Sequence, residues 1–393
     1  MNLLTYEWRK LAGMPALWAF AALCFLFNCV LLYATMWTCR SFNEGSAIAS
    51  RLGQRVDADF IAGFARLPPA ETPEERKEQD KLLDFLRQMD DPLERYDSAA
   101  IRQSYAGFLG VSPLPAALMD WKLQHVALRA EHFARTGAAM DFFAGPVTLE
   151  ANTVIYKYFF KALLSEGVVL GVLSMLFLLD YERNSRTSAA VCASRKGRKL
   201  WRTKVLAGVT AALALYLLLA VLSFAVFFAL WDWSGVWYAS MASQFNTGIF
   251  NQSDLSYDGY RPFLPWADFT AGSYLLAAAA LGAALTAVFT LLTAISGLLI
   301  GNAYASALAM VIFVAGNWAV WYTSYMQGCW AVFAPLSFFP ASLWDQTLGW
   351  FTDGGIMYFI PWQETFVTAL WLVLGGGGTA LALQRFNRKD VRI

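Results

Sequence analysis

Six stretches of predominantly apolar residues limit what this chain can become, because each is close to the roughly 20 residues a helix needs to cross a bilayer. They run near residues 16–37, 156–180, 205–231, 271–296, 303–325 and 362–384. The first, "ALWAFAALCFLFNCVLLYATMW", is too long for a signal-peptide core and lacks a small-residue cleavage site, so it is expected to stay as a helix. Composition agrees: 58% of the residues are hydrophobic and 15% charged, against about 25% charged in soluble proteins. The expected fold class is an all-α integral membrane protein with six transmembrane helices. A formal net charge of +1 gives no basis for nucleic-acid binding.

Charge placement sets the expected orientation. Asp180 to Lys204, "DYERNSRTSAAVCASRKGRKLWRTK", holds eight Lys or Arg against two acids between two apolar stretches. Basic residues in short loops mark the cytoplasmic side. With six spans, this segment shares a side with Arg9 and Lys10 and with Arg385, Arg388, Lys389 and Arg392. The two later loops on the other side contain only Arg261. Both termini are therefore expected in the cytoplasm of a multi-pass plasma-membrane protein. Topology explains the sign of residues 181–204 but not their extent, since helix–helix connections usually take about 2–8 residues. As a helix from Ser188, the segment offers Val191 and Leu200 as apolar anchors and Arg195, Arg198 and Arg202 as a basic face. That pattern suits docking onto another protein.

Between the spans the sequence predicts distinct units. Residues 1–15 form an interfacial helix with Leu3, Leu4, Trp8 and Leu11 beside Glu7, Arg9 and Lys10. Residues 38–155 form a helical extracellular insert. In it Thr72, Pro73 and Glu75 make a capping box with proline at the first helical position, and a second helix is expected over Pro115 to Arg135. Residues 232–270 form an extracellular loop and 385–393 a cytoplasmic tail. Residues 326–361 are rich in aromatics, broken by Pro335, Pro340, Gly354 and Gly355, and carry no Lys or Arg. They suit either a re-entrant hairpin covered by protein or an aromatic belt at the headgroups.

Several chemistries lack their residues. No phosphate loop is present, and Gly-Lys occurs nowhere. His125 and His132 lie about 10.5 Å apart along a helix, too far to share one metal. The cysteines have no metal spacing, and a Cys39–Cys329 bridge is left open. Gly167-x-x-x-Gly171, Gly297-x-x-x-Gly301 and Gly375 to Gly378 permit close helix approach. Glu166 stands out as an acid inside the second span, and Lys161 is poorly placed to pair with it. It is a candidate pathway residue contacting cargo or an ion; a structural hydrogen bond in the bundle is the other reading. Either way it needs a partner on another helix, water or a proton.

The layout resembles the permease subunits of type-2 ABC exporters, with six spans, both ends inside and an outer insert between the first two. Family members tend to have an acid leaving the second span, then Gly-Thr, then Ser or Pro with Gly-Arg, then Lys entering the third. Here Glu182, Thr187, Ser194, Gly197, Arg198 and Lys204 match, while Arg186 stands where glycine is usual. The N-terminal "YEWRKL", with Glu7 and Lys10, is similar to the family's N-terminal helix. The resemblance implies a translocation pathway made by two permease subunits, as a homo- or heterodimer in lipid. Two separate ATPase subunits would supply the ATP and Mg chemistry, so this chain is not expected to be an enzyme. Glu182, Arg186, Thr187, Arg195, Arg198 and Lys204 would form the ATPase-coupling segment. Competing readings are a membrane sensor with a ligand-binding insert, and a channel.

Overall fold

The computed structural model describes residues 3–94, 96, 99, 101, 103, 113–143, 145–187, 191, 197–245 and 262–388, and the side chains of Pro146, Arg198 and Lys199 are not among the described ones. Among the described residues, six helices are long and apolar enough to cross a membrane. They are Pro15–Ala34, Thr148–Asn184, Leu200–Leu230, Ala271–Ile300, Ala303–Met326 and Gln363–Arg388. Among the described residues there is no strand, only isolated bridges such as Pro265 with Thr352.

The spans differ in how much protein covers them. The most apolar windows of the second and fourth are 61% and 56% buried, against 22% and 17% for the first and fifth. The second and fourth therefore form the centre, and their small residues explain the close approach. A Cβ on Gly171 would lie 2.5 Å from Thr290 Oγ1, and one on Gly167 would lie 2.5 Å from Tyr216 Cδ2. A Cβ on Gly297 would meet Leu179 at 2.6 Å. Both spaced glycine pairs are thus occupied by packing within the chain. In the run of four, Gly375 and Gly378 face Leu291 and Ile295, while Gly376 and Gly377 face open space. The first and fifth spans instead present Leu26, Phe27, Val30, Leu308, Val311 and Ile312 outward, as lipid-facing helices do.

Helix boundaries depart from the apolar stretches for local physical reasons. The first span stops at Ala34, where the Thr35 N–H and hydroxyl both turn back to the Leu32 carbonyl. A new helix, Met36–Leu52, opens the insert there. The second span opens with Thr148–Asn152 and a wide π-helical turn over Thr153–Phe159, so the helical path begins well before the apolar run. At its other end it passes the charged Glu182 and reaches Asn184. The third helix starts at Gly197 and carries Arg198, Arg202 and Lys204 as helical residues. Of the segment expected as a coupling loop or helix at 181–204, the two ends are helix, and the helix expected from Ser188 falls largely outside the described residues.

In the insert, Thr72 and Glu75 form the reciprocal capping box and Pro73 opens Pro73–Arg87. The longest insert helix is Pro113–Thr136, with Met119, Leu123, Val126, Ala130 and Phe133 buried along one side. That side packs with Trp330, Phe333 and Phe359 at one end and with Phe245, Leu264 and Trp266 at the other. Insert and both later loops thus make one assembly at the end of the bundle opposite the termini. Two short helices, Trp330–Leu336 and Pro340–Asp345, complete it.

Candidate functional site

The face of the bundle that holds the termini collects the N-terminal helix Leu3–Ala12, the end of the second span and the start of the third. Tryptophan and phenylalanine tie in the last span, with Trp201 and Phe386 centroids 4.4 Å apart. At the centre lie four charged side chains. Lys10 Nζ is 2.6 Å from Glu7 Oε1 and 2.7 Å from Glu182 Oε1. Lys204 Nζ is 3.2 Å from Glu7 Oε2 and 2.5 Å from Glu182 Oε2, and it donates to the Leu178 carbonyl at 2.5 Å. Two acids and two bases alternate in a closed ring with no net charge. Lys10 also sits over the rings of Tyr6 and Tyr181. Burial lowers the Lys10 pKa, but Glu182 and Glu7 outweigh it and hold the ammonium above the ordinary lysine value.

This ring exists because each charge has two opposite partners. Glu7 and Lys204 are fully buried, a state that costs several kcal/mol per ion, on the order of a lost fold-stabilising contact, unless paired this well. Glu182 and Lys204 are therefore turned inward and position the segment between the second and third spans. They do not present their own charges to a partner.

Beyond Glu182 the helix ends in a Schellman turn. The Thr187 N–H donates to the Glu182 carbonyl at 2.9 Å, and the Arg186 N–H donates to Arg183 at 2.9 Å. Such a turn puts its C′ residue in the left-handed region, usually glycine. Here that residue is Arg186, at φ 55°. Arg186 and Thr187 are exposed, and the Thr187 hydroxyl lies 2.8 Å from Ser185 Oγ. Arg195 lies outside the described residues, as does the Arg198 side chain, although Arg198 belongs to the helix Gly197–Leu230.

Glu166 lies far from that ring, in the second span, and is 8% exposed. Its partner is on the first span: Asn28 Nδ2 donates to Glu166 Oε2 at 2.7 Å and lies 3.1 Å from Ser223 Oγ of the third span. Asn28 and Ser223 are fully buried. Lys161, five residues before Glu166 and so at a poor helical angle to it, pairs instead with Asp345 of the short helix Pro340–Asp345. Trp344 Nε1 donates to Ser165 Oγ at 2.7 Å, and its ring meets Phe289 at 5.3 Å. Trp371 Nε1 donates to the Phe338 carbonyl at 2.8 Å, and Ser342 reaches Asn317 at 3.3 Å. Residues 338–345 thus pack among the second, fourth, fifth and sixth spans, and Trp344 bonds to Ser165, the residue before Glu166.

Two of the buried charged groups that escaped the sequence reading are Glu364 and Lys122. Glu364 is fully buried in the first turn of the sixth span, where Thr365 Oγ1 donates to it at 3.0 Å. An acid opening a helix is a recognisable dipole signal. Lys122 is fully buried in the apolar stripe of the insert, and its position three residues after Met119 could have drawn notice. The cysteine pairing left open is not formed: Cys39 is buried with Sγ 3.2 Å from the Leu230 carbonyl, and Cys329 is exposed and free. No group of His, Cys, Asp or Glu suited to hold a metal occurs among the described residues.

These features define a multi-pass, all-helical membrane protein of a kind that fits transport across the bilayer. Compared with known protein families, curated proteins and solved structures, the chain shows no match.

Proposed function

We propose that this chain is the membrane-spanning subunit of a type-2 ABC exporter, paired with a second permease subunit and driven by two separate ATPase subunits. The observation that carries the reading is the mounting of the segment between the second and third spans. Its exposed turn, Arg186 and Thr187, projects from helices clamped to each other and to the N-terminal helix by the buried ring of Glu7, Lys10, Glu182 and Lys204. A push on that turn would reach both spans and the N-terminal helix as a unit, because breaking the ring strands a buried charge. Direct contact with the ATPase falls to Arg186, Thr187, Arg195 and Arg198, while Glu182 and Lys204 position them.

The pathway in this reading runs beside Glu166, with residues 338–345 as a re-entrant hairpin over it. Their contacts with Ser165, Phe289, Asn317 and Trp371 support that placement. Both termini then lie in the cytoplasm and the insert outside. Single-cysteine labelling of intact cells tests the orientation: reaction at Ser98→Cys and protection at Ser194→Cys, on a cysteine-free background, is the expected result. The reverse pattern would refute it.

A further inference from the structure

The helix Pro113–Thr136 buries an ammonium where its neighbours in the stripe bury methyl groups and rings. Lys122 is fully buried, and its Nζ donates to the carbonyls of Asp353 at 3.1 Å, Tyr358 at 2.7 Å and Gly355. An ammonium has three N–H donors, and one short segment of backbone offers three carbonyls to it. The segment can do so because of its turn. Gly354 and Gly355 both adopt left-handed φ, 56° and 57°, which turns successive carbonyls to one side. The Tyr358 ring lies so close to Gly354 that a Cβ there would come within 2.3 Å of it. The rim is fixed from elsewhere: Asp353 exchanges two bonds with Leu264, N–H to carbonyl at 2.9 Å and Oδ1 from the Leu264 N–H at 2.8 Å. At the far end the Phe359 N–H donates to Gln363 Oε1 at 2.7 Å.

We propose that residues 353–358 form a primary-ammonium site whose resident ligand is the Lys122 side chain, and that this pin fastens the insert over the end of the bundle. Met119 and Leu123 flank the pin and pack with Trp330, Phe333, Ile356 and Phe359. Apolar contacts of that kind can slide, whereas three converging carbonyls fix one position. The insert can lift from residues 353–358 only by drawing a charged group out of its acceptors. Lys122 is thus the positioning residue of the closure, acting on the segment that leads into the sixth span. This holds whether or not the chain is a permease.

The experiment uses the full chain in lipid nanodiscs and reads amide exchange over residues 353–359. Lys122→Ala should speed that exchange by about tenfold to a hundredfold, the range for leaving buried polar groups unsatisfied. Methylammonium should slow it again, because it supplies the same head group without the stem. Tetramethylammonium at equal ionic strength, which has no N–H, should not. Lys122→Arg should also leave exchange fast, since a planar guanidinium cannot aim at three carbonyls gathered round one atom. Unchanged exchange in Lys122→Ala, or equal effects of the two amines, would overturn the proposal. Should the alanine variant not fold, Lys122→Met keeps the apolar stem and takes its place in the same test. On the unaltered chain, Lys122 should acylate at least tenfold more slowly than the exposed Lys81; equal rates would contradict the pin.

Discussion

Lys204 Nζ of the third span lies 2.5 Å from Glu182 Oε2 of the second, and neither side chain exposes more than 5% of its surface. The pair holds two helix ends together only while both charges remain. Lys204→Met should therefore cost about 3–5 kcal/mol, the penalty for stranding a buried carboxylate. Adding Glu182→Gln should recover much of that loss, because Glu7 and Lys10 still balance each other. Unfolding of the four members of this double-mutant cycle in detergent checks it: a purely additive cycle would show that the two residues do not depend on one another.

Arg186 carries a conformational cost that glycine would not. A non-glycine residue in the left-handed region costs about 1–3 kcal/mol, part of which glycine loses again in chain entropy. Arg186→Gly should therefore raise stability by about 1 kcal/mol while the Schellman bonds from Arg186 and Thr187 persist. If Arg186 also touches an ATPase, the same variant should be more stable yet poorly coupled. Thermal unfolding and ATP-driven transport, measured side by side, separate the two effects.

The glycines differ in what surrounds them. Gly171→Leu must displace Thr290 and Ala212, whose atoms lie 2.5 Å and 3.2 Å from a new Cβ, at a cost of about 1–3 kcal/mol. Gly376→Ala meets nothing within 4 Å and, lying mid-helix, should raise stability by about 0.5–1 kcal/mol. Equal effects at the two sites would mean that the second and fourth spans are not packed as described.

Much of this architecture is legible in the chain. An apolar run of span length is a local property, and so is the Thr72–Glu75 capping box. The ends of the second and third spans were harder to read, because Glu182 and Lys204 look like the start of solvent. Only pairing across 22 positions, with a third helix supplying Glu7 and Lys10, lets those charges stay helical and buried. Glu166 announced that it needed a partner, but nothing local points to Asn28, which is 138 residues away. The spaced glycines signalled close approach without saying that the neighbour would be the same chain. Arg186, noted as the odd residue where glycine is usual, falls at the left-handed position itself.

Two carboxyls give the insert a pH dependence of known sign. Burial raises the Asp91 pKa, opposed by the Leu93 N–H; burial likewise raises Asp141, opposed by the Ser240 N–H and Arg55. A carboxyl raised on folding contributes stability that is fully present below its unfolded value, near 3.9, and lost as pH rises through the folded value. The insert should accordingly exchange its amides more slowly just above pH 4 than at pH 7, after correction for intrinsic rates. Asp141→Asn keeps an acceptor for the Ser240 N–H, 2.8 Å away, and should flatten part of this slope. An unchanged slope would remove Asp141 from the account.

The central claim, that this chain passes work from a separate ATPase through its 181–204 segment, is tested most directly by purifying the tagged chain from its native membrane. A stand-alone ATPase should accompany it in near-equal amount, and ATP hydrolysis should disappear when that subunit is stripped away. Reversing Arg195 and Arg198 together to Glu should leave insertion intact and abolish ATP-driven transport, since truncating an interface charge alone costs about 2–5 kcal/mol when its partner stays buried. Recovery of the folded chain with no ATPase, or wild-type transport by the reversed variant with its ATPase retained, would contradict the claim.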